Sequence, residues 1–495
     1  MNMNKSIDRR RLRRVLVPVL TSAALLGAAG AAGAAVHGPP RLGQDGAAVT
    51  HKKASSAATP GRAVAFDRAA KQARAHGRIT VTITLAEAPT QAPDADVRAR
   101  LSEQSRAGRA AVLDALDGPA GTRSIPGAPV MTARVSAADI AALREEASVR
   151  SIAKSVVLEP AGTSSFGAAG GVQLPKWWHQ KRIGLDWTYA NGYNGAGQKV
   201  VIVDTGVDSN HPWLQGRVVD GACFSQGGCG NGLTYRYGIG AGAPCSYATA
   251  CAHGTHVAHI AAGAHGAARS AGIVAINAST RGTDRYGNPS PRFYDADLVN
   301  ALWYSYNYVS PAPAAVNMSI GSDNVYSAVC DSRNQNMANW ITALRSRGTA
   351  TVISAGNGNS AAGVSSPACM SSAVVVGNST LTGATGVPAV LGGVRGGSNS
   401  SPLVDLWAPG TDICSAVPTW LDRDGAADGV DCTYYGTSMA APQVAGAFAV
   451  MRAARPAYTV NQNLGALQRR GHAITDARNG VTRSMISISN AVYYG

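Results

Sequence analysis

The chain has 495 residues, of which 45% are hydrophobic, 15% charged and 6% aromatic. This composition excludes a disordered polymer and a membrane-embedded bundle, and the length is sufficient for two to four folded domains. The net charge of +15 is spread along the chain, since residues 1–36, 37–160 and 161–495 each contribute +5. Such a diffuse charge does not form the basic stripe that binds phosphates, so we expect no nucleic-acid partner.

The first 36 residues have the layout of a secretory signal peptide. Six basic residues between positions 5 and 14 precede a small, apolar stretch that ends near residue 36. A membrane anchor is the alternative, but this stretch is only weakly hydrophobic and contains Pro18. We therefore expect export and removal of the signal, giving a secreted, extracellular protein with no further membrane contact.

The segment that follows divides into a lead and a folded module. Residues 37–77 are rich in Ala, Gly, Pro and basic residues without a sustained period, which predicts a disordered lead. Residues 78–160 predict a ferredoxin-like α+β module with the order β-α-β-β-α-β. Its recognisable elements are strands over 79–85, 130–135 and 149–158 and helices over 97–116 and 136–143. The Gly/Ser-rich residues 161–176 predict a linker that is easily cut.

From residue 177 to residue 495 the pattern changes to short runs that are apolar on both faces. Such runs predict buried parallel strands, and the amphipathic segments between and after them predict helices. The strands are expected at 200–203, 315–319, 351–353 and 373–376, and the helices at 254–264, 295–307, 335–347 and 438–453. This order predicts a three-layer α/β/α domain.

All eight cysteines lie after residue 200. An even number in an exported chain predicts disulfides, and we expect neighbours in the chain to pair, although eight cysteines allow 105 pairings. A zinc site is the alternative, but no Cys-x-x-Cys occurs and the spacings match no common zinc finger. The cysteines are Cys223, Cys229, Cys245, Cys251, Cys330, Cys369, Cys414 and Cys432.

Three short motifs contain the groups of a nucleophilic hydrolase. Asp204 follows the apolar run 200–203, so it lies at the carboxyl end of a predicted parallel strand, where ligand-facing residues gather. His253 begins the motif HGTHVA, and Ser438 lies in GTSMAAP at the start of a long apolar helix. A serine hydroxyl becomes an effective nucleophile when an imidazole takes its proton, and a buried carboxylate fixes the tautomer of that imidazole.

These motifs, in the order Asp, His, Ser, resemble those of the subtilisin-like serine proteases. The resemblance covers roughly residues 180–490 and implies that Asp204, His253 and Ser438 form a catalytic triad. It also implies that Asn357, in the segment SAGNGN, donates its side-chain amide to the oxyanion together with the Ser438 N–H. The expected activity is that of a serine endopeptidase, hydrolysing peptide bonds through an acyl-enzyme.

Two further segments resemble the walls of the family's substrate cleft, where an extended peptide binds by strand addition. They are Ser319, Ile320 and Gly321 on one side and Ser354, Ala355 and Gly356 on the other. The implied partners are protein and peptide substrates, bound by a monomer. No cofactor is required for the chemistry; structural calcium is left open, since many relatives bind it, but no EF-hand loop is present and the metal ligands are unknown.

Residues 78–160 are similar to the propeptide of this family, which assists folding and occupies the cleft as an intramolecular inhibitor. The resemblance implies a zymogen that cuts itself within residues 161–176 and releases a peptidase domain, residues 177–495. Activity is expected at neutral to alkaline pH, because His253 acts as a base only when neutral.

Two other functions are alternatives. The first is a catalytically silent binding protein with the same fold, which the intact Asp204, His253, Asn357 and Ser438 argue against. The second is an α/β-hydrolase lipase or esterase, but Ala440 replaces the second glycine of its Gly-x-Ser-x-Gly motif and the order of the three residues differs.

Two histidines near His253 need separate interpretation. His256 lies one helical turn away and is either a metal ligand or a packed residue; the packed role is favoured, because no third ligand has suitable spacing. His259 occupies a position at which the family usually has glycine, so helix packing or cleft shape is expected to differ there.

Overall fold

The computed structural model describes residues 60–86, 95–116, 121–161, 177–382, 390–394, 397–422 and 428–495. The predicted signal peptide, the lead up to residue 59 and the linker after Ala161 lie outside these described residues. No helix within them is both long and apolar enough to span a membrane.

Residues 60–161, here called the N-terminal module, begin with a helix and continue with an antiparallel sheet in the order β2-β3-β1-β4. This strand order, with crossovers through α2 and α3, is the ferredoxin-like arrangement that the sequence predicts. The elements are α1 (Pro60–His76), β1 (Ile79–Thr84), α2 (Ala95–Ala115), β2 (Arg123–Ser124), β3 (Val130–Val135), α3 (Ala137–Glu145), β4 (Ser151–Lys154) and β5 (Val157–Pro160). The two-residue strand β2 has no signal in the sequence.

Helix α1 corrects the prediction of a disordered lead, which is wrong for residues 60–76. Phe66 is fully buried in the core of the module, and the guanidinium of Arg62 donates hydrogen bonds to the carbonyls of Val149, Arg144 and Glu146 at 2.8–3.0 Å. The buried residues have helical spacing: Phe66, Ala69, Ala70 and Ala73. Because three of the four are alanine, the apolar stripe is weak and the sequence pattern conceals it.

The peptidase domain contains the remaining elements. Its helices are α4 (Trp178–Arg182), α5 (Leu185–Ala190), α6 (His253–Ala262), α7 (Asp295–Asn307), α8 (Gln335–Ser346), α9 (Thr437–Ala454), α10 (Val460–Arg470) and α11 (Ile488–Tyr494). Its strands are β6 (Lys199–Asp204), β7 (Val218–Phe224), β8 (Tyr235–Tyr237), β9 (Gly272–Asn277), β10 (Ser279–Thr283), β11 (Pro289–Tyr294), β12 (Ala315–Met318), β13 (Ile320–Gly321), β14 (Val325–Tyr326), β15 (Ala350–Ser354), β16 (Val364–Ser365), β17 (Val374–Thr382), β18 (Val390–Val394), β19 (Leu406–Pro409), β20 (Ser415–Ala416), β21 (Val430–Asp431), β22 (His472–Thr475) and β23 (Thr482–Met485).

The central sheet has the order β22-β23-β19-β17-β15-β12-β6-β9-β7-β8, with β18 paired to β17. Strands β7, β9, β6, β12, β15, β17 and β19 run parallel. Side chains alternate between the two faces: Val200 and Ile202 pack in the core that contains α6 and α9, whereas Val201 and Val203 pack in the core that contains α7 and α8. The predicted three-layer α/β/α architecture is confirmed, and the four predicted helices match α6 to α9 within two residues at each end.

Strand β5 corrects a second prediction, that of a single closing strand over residues 149–158. The chain breaks into β4 and β5 at Ser155 and Val156, where the Asp295 main-chain N–H donates to the Val156 carbonyl at 3.1 Å. Strand β5 leaves the sheet of the N-terminal module and pairs antiparallel with β11 on one side and β13 on the other. It is therefore an inner strand of the four-stranded sheet β10-β11-β5-β13.

All eight cysteines form disulfides between chain neighbours, as expected. The pairs are Cys223–Cys229, Cys245–Cys251, Cys330–Cys369 and Cys414–Cys432. The second pair ends two residues before His253, so it constrains the approach of the chain to helix α6.

Candidate active site

Asp204, His253 and Ser438 lie at the ends of three elements of the peptidase domain. Asp204 and His253 are hydrogen-bonded, whereas among the described residues Ser438 forms no hydrogen bond with His253. Asp204 is the last residue of β6, His253 is the first residue of α6, and Ser438 is the second residue of α9. All three side chains are fully buried. The site lies at the carboxyl end of a parallel strand, where open α/β sheets gather their ligand-facing residues.

The Asp204 carboxylate and the His253 imidazole form a direct pair. The Nδ1 atom of His253 lies 2.8 Å from Oδ1 of Asp204, which also accepts the Thr205 main-chain N–H at 2.7 Å. The carboxylate therefore fixes Nδ1 as the protonated nitrogen and leaves the lone pair on Nε2. Among the described residues Nε2 has no hydrogen-bond partner, so it is available as a base.

Thr205 and Gly254 fix the position of the imidazole. The Thr205 hydroxyl donates to the Cys251 carbonyl and accepts the Gly254 N–H, each at 2.9 Å, and so ties the end of β6 to the first turn of α6. A Cβ on Gly254 would lie 2.3 Å from the Gly206 carbonyl oxygen. Only glycine permits this close approach directly after the histidine.

Ser438 lies at the start of α9, where Pro442 removes one helical hydrogen bond. Pro442 has no N–H to donate to the Ser438 carbonyl, and the Ser319 hydroxyl donates to that carbonyl at 2.9 Å instead. The Ser438 hydroxyl itself contacts the carbonyl oxygen of Ala161, the residue that follows β5. Its oxygen also lies 3.2 Å from the Ser319 carbonyl.

Asn357 is oriented by its side-chain oxygen. Oδ1 of Asn357 accepts hydrogen bonds from the main-chain N–H and the hydroxyl of Thr437, both at 3.0 Å, so its NH₂ group is left as the donor toward the cleft. Gly436 has a φ of +135°, and a Cβ there would lie 2.7 Å from Nδ2 of Asn357. Glycine is required at position 436 because other residues disfavour this backbone conformation and because a side chain would collide with the Asn357 amide.

Strand β5 fills a cleft between β11 and β13. Pro160 pairs with Ile320 and Glu159 with Gly321, while the Ala161 N–H donates to the Ser319 carbonyl at 3.0 Å. On the other side, Leu158 pairs with Phe293 and is buried. The cleft therefore binds an extended chain through main-chain hydrogen bonds on both of its edges.

The segment Ser354, Ala355 and Gly356 is buried at the end of β15, close to the start of α9. The Gly356 N–H donates to the Thr437 hydroxyl at 3.2 Å, and the Ala355 carbonyl accepts the Ser365 N–H at 2.9 Å. Thr437 thus joins this segment and Asn357 to the turn before Ser438.

Comparison with known proteins agrees with this geometry. The profile of the Subtilase family matches residues 195–487, more than half of the chain. This chain belongs to the subtilase family. Its matched region begins before the first strand of the central sheet and ends just before α11.

Two relatives and one solved structure illustrate how far the similarity of this subtilase extends. It is 29% identical over 316 residues to alkaline serine exoprotease A of Vibrio alginolyticus, covering 63% of this chain and 49% of that protein. It is 31% identical over 306 residues to the extracellular serine proteinase of Thermus sp. (strain Rt41A), covering 60% and 62%. The crystal structure of fervidolysin from Fervidobacterium pennivorans, a keratinolytic enzyme related to subtilisin, has a TM-score of 0.59 at 19% identity, covering 85% of this chain and 62% of that chain. At that identity, the likeness to fervidolysin shows the fold alone. This subtilase spans less than two thirds of the length of each of the three proteins.

His256 has a packed role in this subtilase. Its Nε2–H donates to the carbonyls of Ile413 and Asp431 at 3.0 and 3.1 Å, and its ring stacks on Tyr434 with centroids 4.3 Å apart. Burial lowers the pKa of His256 to about 3, so the ring stays neutral. Within the described ranges no three His, Cys, Asp or Glu side chains converge as a metal site, and the question of structural calcium stays open as the sequence leaves it.

His259, the departure from the usual subtilase glycine, packs on the face of α6 remote from the triad pair. Its Nδ1 lies 2.8 Å from the Ser415 hydroxyl, and its ring stacks on Trp213 with centroids 4.9 Å apart. Burial holds the pKa of His259 well below its usual value. The side chain of His259, which is larger than that of glycine, is thus accommodated by stacking on Trp213, away from Asp204 and Ser438.

Several residues of the site are not identifiable from the motifs alone. Thr205 directly follows Asp204, and Thr437 directly precedes Ser438. This adjacency is the sequence signal that could have indicated their anchoring roles. Ala161 and Arg292, which contact or flank the cleft, carry no local signal, because their positions depend on the pairing of β5 with distant strands.

Proposed function

We propose that this subtilase is a secreted serine endopeptidase that uses Asp204, His253 and Ser438 as its triad and matures by cutting its own chain. The observation that carries the proposal is the contact between the Ser438 hydroxyl and the Ala161 carbonyl, with β5 held in the cleft and an Asp204–His253 pair formed at the end of β6. A nucleophile, an oriented base and a bound carbonyl are the parts of an acyl transfer reaction.

In the proposed reaction, Ser438 Oγ attacks the carbonyl carbon and Nε2 of His253 takes its proton. The imidazolium is stabilised by Asp204, and the tetrahedral intermediate collapses when His253 returns the proton to the leaving amine. An ester between Ser438 and the acyl fragment remains. Water, deprotonated by the same imidazole, hydrolyses this ester and regenerates the free hydroxyl.

Asn357 and the start of α9 would stabilise the oxyanion. The NH₂ group of Asn357 is preset because Thr437 holds its oxygen, and a preset donor costs no reorganisation when charge develops. The main-chain N–H of Ser438, in the first turn of α9, supplies a second donor at the positive end of the helix dipole.

The N-terminal module acts in this proposal as an inhibitory propeptide, with Ala161 as its last residue. Strand β5 occupies the cleft in the register of a substrate, and the carbonyl that contacts Ser438 is that of Ala161. Cleavage of the Ala161–Gly162 bond would give a peptidase that begins at Gly162. The cleaved N-terminal module would remain bound to the peptidase domain until it dissociates or is degraded.

The extracellular location is proposed from three features. The first 36 residues have the layout of a signal peptide, and all eight cysteines are paired, which is typical of oxidising compartments. The similar protein from Thermus sp. is named an extracellular serine proteinase. The proposed substrates are proteins and peptides that can enter the cleft as extended strands.

The test is to express the full chain, its Ser438→Ala variant and the control Ser346→Ala, whose serine lies at the end of α8. We expect the wild type and the control to yield a protein that begins at Gly162 by intact mass and to hydrolyse casein. The Ser438→Ala chain should keep the N-terminal module and leave casein intact. If wild type and Ser438→Ala are processed alike and neither cleaves casein or peptides, the protein is a binding protein with a silent subtilase fold.

A further inference from the structure

An arginine of the peptidase domain faces the third residue before the proposed scissile bond. Phe293 of β11 pairs with Leu158 of β5, so the next position along both strands places Arg292 opposite Glu159. The guanidinium NH1 of Arg292 contacts Oε1 of Glu159. Directly opposed side chains on antiparallel strands are the closest neighbours that a strand offers, and opposite charges there are favourable.

Arg292 is fixed by its own hairpin rather than by Glu159. Its Nε–H donates to the Thr283 carbonyl at 2.9 Å, and its NH2 group contacts the same oxygen. Gly282 on β10 leaves the space for the side chain, because a Cβ there would lie 2.5 Å from Arg292 Cγ. The guanidinium is therefore held in the wall of the cleft with NH1 directed at the bound strand.

The two partners differ in exposure. The Arg292 side chain is 12% exposed, whereas that of Glu159 is 47% exposed, so the cation belongs to the wall and the carboxylate approaches from the solvent side. Burial lowers the pKa of Arg292, and the Asp323 carboxylate partly offsets this effect. A largely buried guanidinium gains more from a carboxylate within contact distance than an exposed one does, because water screens the pair less.

The origin of the carboxylate is also restricted by the sequence. All five glutamates of the chain lie at or before residue 159, so residues 160–495 contain none. Glu159 is the last of them and the one that meets the cleft. Once the N-terminal module has left, Arg292 would lack this partner until another chain with an acidic residue in the same register binds.

We propose that Arg292 is a specificity-determining residue that makes this peptidase select substrates with an acidic side chain at the third residue before the cleaved bond. The inference rests on the proposed function and adds a substrate class to it. The preferred sequence before the cut would match the module's own end, Leu158 to Ala161: an apolar residue, an acidic residue, proline and alanine. Peptides with a basic third residue would place a cation against the fixed guanidinium.

The experiment uses the mature wild-type enzyme and three peptide anilides, with Leu-Glu-Pro-Ala, Leu-Gln-Pro-Ala or Leu-Lys-Pro-Ala before the reporter group. We expect kcat/KM to fall in that order, by about 10-fold from the first to the third, and the ratio to shrink as salt rises from about 0.05 to about 0.5 M. In Arg292→Gln the three values should agree within about 2-fold, and in Arg292→Glu the order should reverse. The control Arg285→Ala removes a cation from the tip of the same hairpin and should keep the wild-type order.

A charge swap in the full chain provides a second, independent test. Glu159→Lys should slow processing at Ala161 by about 10-fold, and the double variant Glu159→Lys with Arg292→Glu should restore the rate. Equal rates for the three peptides on the wild-type enzyme would overturn the role of Arg292, even if the Arg292 variants fail to mature. Failure to cleave any peptide or casein would instead overturn the proposed function.

Discussion

The two main sheets of this molecule are covered in different ways. The central sheet of the peptidase domain is apolar on both faces and is covered by its own helices, α6 and α9 on one face and α7 and α8 on the other. The sheet of the N-terminal module is most apolar on the face beneath its own helices, and on its other face Val130 packs in the peptidase core that contains α7 and α8. Its other face carries threonines, and Thr82, Thr84 and Thr132 are buried against the peptidase domain. The central sheet is therefore covered on both faces by its own domain, whereas the sheet of the N-terminal module depends on the peptidase domain to cover its second face.

The interface beneath the module combines apolar packing with hydrogen bonds between polar groups. The Thr82 and Ser155 hydroxyls donate to the Asp295 carboxylate at 3.0 and 2.9 Å, and the Thr132 hydroxyl donates to the side-chain oxygen of Gln226 at 2.9 Å. Polar groups of this kind lose little when water replaces the partner, because they are hydrogen-bonded in both states. These hydrogen bonds are suited to a contact that forms during folding and is broken afterwards, because both sides can exchange them for bonds to water.

The largest expected effect is on catalysis, and the contact between the module and the peptidase domain should stay unchanged. Asp204→Asn should lower kcat by about 10⁴-fold, because the amide no longer fixes the Nε2 lone pair of His253. The side chain is remote from the threonine face, so the chain should fold with its module attached and remain uncut. Steady-state kinetics after processing in trans by wild-type enzyme measure the first effect, and calorimetry of the uncut chain measures the second.

Asp220→Asn serves as the control for this prediction, since Asp220 lies on β7 and bonds the Tyr304 hydroxyl instead of a histidine. We expect its kcat to stay within about 3-fold of wild type. A similar loss in both variants would mean that the carboxylate of Asp204 has no special role.

The next effect concerns the stability of the module alone. Phe66→Ala, in the Ser438→Ala background that keeps the chain whole, should destabilise the module by about 3 to 5 kcal/mol, because Phe66 is fully buried in its core. The peptidase domain should keep its unfolding temperature. The control Val64→Ala changes a residue of the same helix that is 55% exposed, and its effect should stay within about 0.5 kcal/mol. Equal effects of the two substitutions in calorimetry would contradict the packing of α1.

The peptidase domain could be predicted from local sequence because its signals are local. Runs that are apolar on both faces arise where a strand is covered on both faces, and a residue such as Asp204 at the end of one run is placed by that strand alone. His253 and Ser438 lie in the first turns of helices whose apolar patterns are strong. The positions of the three residues of the proposed triad follow from the fold once these three ends are known.

The N-terminal module was less predictable because its structure depends on distant residues. The break between β4 and β5 is made by Asp295, 140 residues away from Ser155 in sequence. The alternation of apolar residues and threonines in β1 predicts that the threonine face is exposed to solvent. Thr82 and Thr84 are instead buried, because α7 and α8 cover them. The partnership of Arg292 with Glu159 depends on the register of two strands that no sequence period encodes.

The contact between the two regions should weaken as pH rises. Burial raises the pKa of Asp295, which accepts hydrogen bonds from the module, to about 6 and that of Asp297 to about 7, above the ordinary value of 3.8. A raised pKa in the complex means that the contact is fully stabilised below about pH 4, where both carboxyls are protonated, and loses this contribution as pH rises through 6 and 7.

Calorimetry of the Ser438→Ala chain between pH 4 and pH 8 measures this dependence as the shift of the module's transition. The variant Asp295→Asn keeps the hydrogen-bond acceptor but cannot ionise, so its transition should depend about half as steeply on pH. A module transition that rises between pH 5 and pH 8 would have the wrong sign and would exclude this mechanism.

The smallest effect tests a single hydroxyl on the threonine face. Thr82→Val keeps the shape of the side chain but removes its hydrogen bond to Asp295, which still accepts bonds from Ser155 and from the Ala296 N–H. We expect the module to lose about 1 kcal/mol of stability in urea unfolding of the Ser438→Ala chain. Thr80→Val is the matched control, since Thr80 lies two residues earlier on the same strand but is exposed. If both substitutions cost the same, the hydroxyls act through strand propensity, and the threonine face does not recognise the peptidase domain through Asp295.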